Sequence, residues 1–294
     1  MPGDPVSIQW FPGHMAKTRR LIQSNLKLVD LVVELRDARI PRASRNPEID
    51  KLLKNKKRVV LLNKSDMADP QITKRWLTYL EKENIPALAA DCRSGKGLSA
   101  FYPFVRKVLD VEIQRKKAKG MVSVPMRLMV VGVPNVGKSS FINRLSASRR
   151  TKVEDRPGVT RGKQWISLKD GVELLDMPGV LWPKFDDKLV GEHLAFTGAI
   201  KDDIMDTETL ASRLLVRLAE NYPKLLAQRY KLEQQDLLKE DGFALLSWIA
   251  RGRGMLLPGG ELDAERAAAA VLDEFRGGLI GRISLEMPVS AKDK

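Results

Sequence analysis

The sequence predicts an α/β domain with a mostly parallel sheet and helices on both faces, followed by a small all-helical domain. Two observations predict this. Short apolar runs each end at a polar or glycine-containing loop. These runs are 31–35, 58–62, 127–131 and 172–175. After about Pro183, leucines recur at helical spacing, and Pro223 and Pro258 separate the segments. We therefore expect domains at 1–185 and 186–294.

A glycine-rich segment, Gly132-Val-Pro-Asn-Val-Gly-Lys-Ser139, lies between a predicted strand (127–131) and a predicted helix (140–145). In such a loop the backbone N–H groups cradle phosphates, a lysine reaches the terminal phosphates and a hydroxyl ligates Mg²⁺. A chance glycine-rich turn is the alternative, but the strand and helix in register argue against it. The predicted phosphate-site residues are Asn135, Val136, Gly137, Lys138, Ser139 and Ser140.

A second motif, Asn63-Lys64-Ser65-Asp66, follows the apolar run 58–62, where a doubly wound sheet binds ligands. The Asp66 carboxylate can accept hydrogen bonds from N1–H and the exocyclic amine of guanine, which adenine cannot supply. We expect Asn63 and Ser65 to belong to the same site and Lys64 to pack on the base. A solvated polar turn is the alternative, which the accompanying phosphate loop disfavours.

Two segments after the phosphate loop resemble the switches that sense a γ-phosphate. Thr160, within 156–162, would close on Mg²⁺ and the γ-phosphate, together with Ser139 as a metal ligand. Asp176 ends the predicted strand 172–175 and would hold the Mg²⁺ shell through water, while the Gly179 N–H would meet the γ-phosphate. Each motif alone is weak, but together they predict a GTPase that binds GTP and GDP.

The loop 89–97 follows another apolar run, at the position where GTPases contact the guanine O6. We expect Asp91 and Cys92 to make this contact, mainly through backbone groups. Many GTPases carry a Ser-Ala pair in this loop, and this chain does not. Cys92 is the only cysteine, which excludes an internal disulfide and a cysteine metal cluster. Its alternative role is that of a small packed residue.

The guanine motifs precede the phosphate loop, and this order resembles the circularly permuted GTPases. Within that group the chain closely resembles the ribosome biogenesis GTPase A family, over roughly its first two thirds. Besides the nucleotide motifs, the resemblance rests on three segments: Gln9-Trp-Phe-Pro-Gly-His-Met15, Asp37-Ala-Arg-Ile-Pro41 and Gly179-Val-Leu-Trp-Pro183. It implies a circularly permuted P-loop GTPase domain and then a helical, RNA-binding domain.

The resemblance also implies a bacterial factor that binds a late precursor of the large (50S) ribosomal subunit and its rRNA. Hydrolysis of GTP would be slow alone and stimulated by the subunit. A net charge of +14 is compatible with an RNA partner, although it could also serve solubility or an anionic membrane. Two other functions remain open: a nucleotide-gated RNA scaffold with incidental hydrolysis, and a GTPase of tRNA modification or small-subunit assembly.

The catalytic group is not evident from the nucleotide motifs. Many GTPases place a water-orienting glutamine after Asp-x-x-Gly, where this chain has Val180. The resemblance points instead to His14, whose imidazole could orient the attacking water. A structural or RNA-contacting histidine is the alternative. Asn135 occupies the position at which related GTPases coordinate K⁺; an asparagine that merely caps the loop is the alternative.

The sequence contains no apolar run of the length that crosses a bilayer and no apolar signal-peptide core at 1–9. We therefore expect a cytoplasmic protein with no membrane partner, and a monomer. The basic run 114–119 could touch RNA or form a solvated helical linker. Because the second switch leads almost directly into the helical domain, nucleotide state could reorient that domain.

Overall fold

The computed structural model describes residues 12–53, 56–147, 165–177, 187–200 and 206–288, with backbone alone for 12–18. The chain divides into two compact units. Among the described residues, an α/β unit contains 12–177 and the tail from Glu286, and a helical unit contains 187–285. None of the described helices has both the length and the apolar character needed to cross a membrane.

The α/β unit is built on a six-stranded sheet with the order β3-β2-β1-β4-β6-β5. Its strands are β1 (Leu31–Asp37), β2 (Arg58–Asn63), β3 (Ala87–Ala89), β4 (Met126–Gly132), β5 (Trp165–Ser167) and β6 (Val172–Asp176). All pairings are parallel except that of β5 with β6. The predicted mostly parallel α/β class is thereby confirmed.

The chain fills this sheet in two halves. Strands β1 to β3 form one half and β4 to β6 the other, and β1 pairs with β4 where the halves meet. The strands that precede the guanine motif and the phosphate loop, β2 and β4, therefore flank the same strand. The short antiparallel β5 has only three residues and was not predicted from the sequence.

Helices of the α/β unit cover the two faces of the sheet. They are α1 (Pro12–Leu26), α2 (Pro47–Leu52), α3 (Pro70–Lys82), α4 (Phe101–Val108), α5 (Asp110–Ala118) and α6 (Lys138–Ser146). The sequence sets two N-termini clearly: Asn46 caps α2 ahead of Pro47, and Asp69 caps α3 ahead of Pro70. Helix α5 contains most of the basic run and no buried residue, as expected of a solvated helix.

Apolar side chains from both halves of the sheet form two clusters. One includes Ile22 of α1, Val32 of β1, Met129 of β4 and Leu175 of β6. The other is formed by β2 and α3, with Trp76 of α3 3% exposed. Burial of these side chains fixes the strands, and the loops at their carboxyl ends then form the candidate site.

The helical unit contains α7 (Lys188–Phe196), α8 (Thr207–Asn221), α9 (Pro223–Tyr230), α10 (Gly242–Gly252) and α11 (Ala264–Arg276). Aspartates cap four of these helices at their N-termini, at 187, 206, 241 and 263. The apolar faces of α8 and α11 are buried, namely Leu210, Leu214, Leu215 and Leu218 on α8 and Ala267, Val271 and Phe275 on α11. These helices thus form a core, which confirms the predicted helical character of the C-terminal region.

Candidate nucleotide-binding site

Asn63 joins the guanine motif to the phosphate loop. It ends β2 and is buried, and its Nδ2 donates to the carbonyl oxygen of Val136 at 2.7 Å. Its Oδ1 accepts from the N–H of Cys92 at 2.9 Å. One side-chain amide therefore links the predicted guanine motif, the phosphate loop and the loop 89–97, and brings these three segments together.

The phosphate loop passes close to Asn63, which requires a glycine at position 137. Gly137 is the N-cap of α6 in a left-handed conformation, with φ of 99°. A Cβ there would lie 2.2 Å from the Asn63 Nδ2. The loop thus turns directly into the N-terminus of α6, where free backbone N–H groups and the helix dipole favour an anion. Ser139 and Ser140 are exposed in the first turn of this helix.

Lys138 folds back over the loop it belongs to. Its Nζ donates to the carbonyl oxygens of Gly132 and Val133 at 3.1 and 3.0 Å. Burial lowers the pKa of Lys138 to about 8, against the opposing effect of the Asp176 carboxylate. Burial likewise raises the pKa of Asp176, at the end of β6, against the charge of Lys138. A polyphosphate in the loop would offer the Lys138 ammonium the negative charge that its present carbonyl partners lack.

The turn that contains Asp66 is held by backbone bonds on both sides. The Ser65 N–H donates to the carbonyl of Ala90, and the Met67 N–H donates to the carbonyl of Lys64. Lys64 adopts a left-handed conformation with φ of 59°. The side chain of Asp66 is exposed on this turn, at the carboxyl edge of the sheet, where a base could reach it.

Asp37 and Arg39 support the guanine motif, a role that sequence reasoning missed. Arg39 is fully buried and forms a two-point ion pair with Asp37, at 3.0 and 2.8 Å. The Nζ of Lys64 lies 3.1 Å from the same carboxylate. Burial raises the pKa of Asp37, but the Arg39 and Lys64 charges outweigh it and hold that pKa far below its usual range. The motif 37–41 was visible in the sequence, whereas the pairing of Asp37 with Lys64 was not.

The loop 89–97 is closed mainly by its own hydrogen bonds. Asp91 is 7% exposed, and its carboxylate accepts from the Arg93 N–H at 2.8 Å. Burial, with the Asp91 and Asp66 carboxylates, raises the pKa of Cys92 to about 12, so the thiol is protonated at neutral pH. Because the Cys92 N–H already donates to Asn63, a base contact through Cys92 would share this group. Cys92 is 2% exposed, which agrees with its alternative role as a small packed residue.

The remaining candidate residues are described only in part. Thr160 and Gly179 lie outside the described residues, and for His14 only the backbone is described, in α1. Ser139 and Asp176 are described at the phosphate end of the site. Within the described residues, no three His, Cys, Asp or Glu side chains come together as a protein-only metal site requires. The Ser139 hydroxyl and the Asp176 carboxylate are oxygen donors of the kind that Mg²⁺ accepts, alongside phosphates and water.

Comparisons with known proteins agree with this geometry. Residues 127–237 match a family model described as 50S ribosome-binding GTPase. Ribosome biogenesis GTPase A of Priestia megaterium is 47% identical over 98% of this chain and 99% of its own length. The protein of the same description from Thermotoga maritima is 33% identical, over 96% of this chain and 95% of its own.

A solved structure has the same architecture. The GNP-bound YlqF from T. maritima is 29% identical and covers 92% of this chain and 98% of its own, with a TM-score of 0.65. This likeness extends across both the α/β and the helical parts of the chain.

Proposed function

The chain belongs to the ribosome biogenesis GTPase A family, and from this premise we propose that it hydrolyses GTP late in maturation of the bacterial large ribosomal subunit. The observation that carries the proposal is the Asn63 bridge, which sets a guanine-reading turn beside a phosphate loop. The match of 127–237 to a 50S ribosome-binding family supports the choice of the large subunit.

In this proposal Asp66 selects guanine, Asn63 holds the two loops together and Lys64 packs on the base. Gly137, Lys138, Ser139 and Ser140 bind the phosphates at the N-terminus of α6. Asp91 and Cys92 face the guanine O6 edge. Thr160 and Gly179 respond to the γ-phosphate, a role proposed on sequence position.

We assign Mg²⁺ to Ser139 and Thr160, with Asp176 acting through water. The cation would neutralise charge between the β- and γ-phosphates. Burial lowers the pKa of Lys138 and raises the pKa of Asp176, while the charge of each group opposes the shift of the other. GTP binding at Mg²⁺ concentrations from micromolar to millimolar would test this assignment, and an Asp176→Asn variant should need more Mg²⁺ than the wild type.

His14 is the proposed catalytic group because Val180 cannot polarise water. Its imidazole would orient the attacking water or accept its proton. A His14→Ala variant should lose turnover while its affinity for GTP is unchanged. Loss of subunit binding with intact turnover would assign His14 to a ribosome contact instead.

Asn135 is the proposed ligand of a K⁺ ion, which would add positive charge beside the phosphates. Its left-handed backbone, with φ of 57°, belongs to the turn that shapes the loop. The proposal requires faster hydrolysis in K⁺ than in Na⁺. Equal rates in the two salts would leave Asn135 with a purely structural role.

We propose that the helical domain, predicted at 186–294 and described as the unit 187–285, binds rRNA and responds to nucleotide state through the segment after β6. This proposal follows from the family to which the chain belongs, since 186–294 contains 15 Lys and Arg against 19 Asp and Glu and the basic excess of the chain lies in 1–185. Equal ribosome affinity and equal inter-domain geometry with GDP and with a GTP analogue would remove the coupling to nucleotide state. A monomeric, cytoplasmic protein stays a prediction of the sequence.

The decisive experiment is the steady-state rate of GTP hydrolysis in K⁺ buffer, alone, with large subunits and with small subunits. Stimulation of tenfold or more, about 1.4 kcal/mol of barrier, by large subunits alone is the expected result. Stimulation by small subunits, or by tRNA added to the same assay, would indicate that the protein acts on another RNA. If no particle stimulates hydrolysis but binding depends on nucleotide, the chain acts as a nucleotide-gated RNA scaffold.

A further inference from the structure

Glu286 lies beyond the helical unit in the chain but belongs to the α/β unit. We propose that Glu286 is a positioning residue for guanine recognition: its carboxylate holds the loop 38–46, and this loop holds the Asn63–Asp66 turn. The inference rests on the proposed function, since it assumes that this turn binds the guanine base.

The Glu286 carboxylate binds two consecutive backbone N–H groups. One oxygen, Oε2, accepts from the N–H of Arg42 at 2.6 Å, and Oε1 and Oε2 accept from the N–H of Ala43 at 3.1 and 3.2 Å. The backbone carbonyl of Glu286 accepts from the Trp76 Nε1 at 2.9 Å. Glu286 is only 9% exposed, so water competes poorly for these bonds.

The loop held by Glu286 runs back to the guanine motif through a short series of hydrogen bonds. Within it, the Ser44 hydroxyl donates to the Ile40 carbonyl at 2.6 Å and accepts from the Asp37 N–H at 3.0 Å. Asp37 is the residue whose carboxylate pairs with Lys64 at 3.1 Å. The bonds from Glu286 thus reach the second residue of the guanine motif.

A second connection uses backbone alone. The Ala38 N–H donates to the Asn63 carbonyl at 2.8 Å, directly after the paired residues Asp37 and Asn63. Displacement of the loop 38–46 would therefore disturb Asn63 and Lys64 together. Since Asp66 follows two residues later on the same turn, its carboxylate would lose its alignment with the base edge.

A carboxylate is needed here because two adjacent N–H donors point at one acceptor group. Alanine would leave the buried Ala43 N–H and the part-buried Arg42 N–H without this acceptor, and glutamine would retain a single uncharged oxygen. Removal of Glu286 should weaken guanine binding even though the residue is not placed against the nucleotide. The loss of affinity on removal of Glu286 should be larger for nucleotides whose base carries the edge that Asp66 would bind.

The test is a comparison of GDP and IDP, since inosine lacks the exocyclic amine that Asp66 would bind. Dissociation constants of both nucleotides are measured by fluorescence competition for the full chain, with thermal unfolding of each variant. In Glu286→Ala we expect GDP to bind about tenfold more weakly, about 1.4 kcal/mol. IDP should lose roughly threefold or less, so the preference for GDP falls.

Two further variants keep the test decisive if Glu286→Ala does not fold. Glu286→Gln should give a smaller change of the same kind, and Ser44→Ala should reproduce it by breaking the middle of the connection. Met287→Ala, whose side chain is 56% exposed, and the exposed Glu261→Gln are matched controls with unchanged preference.

The proposal is overturned if all three variants keep the wild-type preference for GDP over IDP. It is also overturned if both nucleotides weaken equally while the melting temperature falls, because that pattern indicates general destabilisation. A wild-type chain that binds neither nucleotide would instead refute the proposed function. The two failures are thus distinguishable.

Discussion

Asn63 and Val136 lie 73 positions apart in the chain and are joined by a 2.7 Å hydrogen bond from the Asn63 Nδ2 to the Val136 carbonyl oxygen. In a chain whose guanine motif precedes its phosphate loop, this bond connects the two halves of the sheet at their ligand-binding edge. It pairs the residue that opens the guanine motif with the residue before Gly137. The predicted base-reading turn and the predicted phosphate loop are therefore linked through a single buried side chain.

Substitution of Asn63 by alanine removes this bond and the one to the Cys92 N–H. We expect GDP affinity to fall by tenfold or more and the free energy of unfolding by about 1–3 kcal/mol, because buried partners are left unsatisfied. Titration with a fluorescent GDP analogue and urea unfolding measure the two effects. Asn221→Ala, which removes an exposed bond in α8, is the control; unchanged GDP affinity in Asn63→Ala would contradict the coupling.

Gly137→Ala should abolish nucleotide binding, because its Cβ would lie 2.2 Å from the Asn63 Nδ2. Gly259→Ala is a matched control, since Gly259 has a similar φ of 105° but nothing within 4 Å of its added Cβ. Both variants carry the cost of a left-handed alanine, roughly 1 kcal/mol. GDP binding that is lost only in Gly137→Ala therefore reports the clash, and equal binding in both would refute it.

Lys138 should make the stability of the nucleotide-free protein depend on pH. Burial lowers its folded pKa from 10.5 to about 8, so between these values the unfolded chain binds more protons at this site. The free energy of unfolding therefore rises with pH across that window. Between pH 7.5 and 10, the wild type should gain about 1–2 kcal/mol relative to Lys138→Met. Urea unfolding at both pH values measures this gain, and a constant difference would contradict the pKa shift.

Glu274 should stabilise the helical unit through its two arginine partners. It pairs with Arg229 at 2.9 Å and with Arg253 at 2.5 Å. Burial raises the pKa of Glu274, but the hydrogen bonds from Arg229 and Arg253 together outweigh burial and lower it to about 2. Because the pKa is depressed, this stability is present above the unfolded value of 4.5 and is lost as pH falls through about 2.

Glu274→Gln should therefore cost about 1–3 kcal/mol of unfolding free energy at pH 7, allowing for the partial exposure of both arginines. The difference from the wild type should shrink as the pH falls from 4.5 towards 2. Urea unfolding followed by circular dichroism measures it. Glu265→Gln, exposed in the first turn of α11, should change stability by no more than a few tenths of a kcal/mol.

Arg251 and Arg253 should differ in their contributions to RNA binding. Both are basic residues at the end of α10, but the Arg253 guanidinium pairs with Glu274 and lies 5.0 Å from the centre of the Tyr230 ring. Arg251 is exposed. If the helical domain binds rRNA, Arg251→Ala should weaken binding severalfold and reduce its salt dependence by about one unit. Arg253→Ala should mainly lower stability; equal effects on RNA affinity and stability in the two variants would contradict this distinction.

Most of the sheet could be predicted because its strands are short apolar runs bounded by turn residues. The predicted run 58–62 became β2 and the run 127–131 became β4, each within one residue at its ends. Strand β5 escaped prediction because three residues carry too little periodicity, and its position depends on pairing with β6.

By itself the sequence determined the α/β class, the helical C-terminal region and the nucleotide motifs, because each depends on local backbone geometry and on residues that are neighbours in the chain. Only the tertiary structure decided which side chains meet: Asn63 with Val136, Lys64 with Asp37, and Glu286 with the Ala43 N–H, 243 positions away. Local spacing encodes no such distant partner. The partner is selected when burial brings polar groups together and each must be satisfied by whatever donor or acceptor the packed chain places beside it.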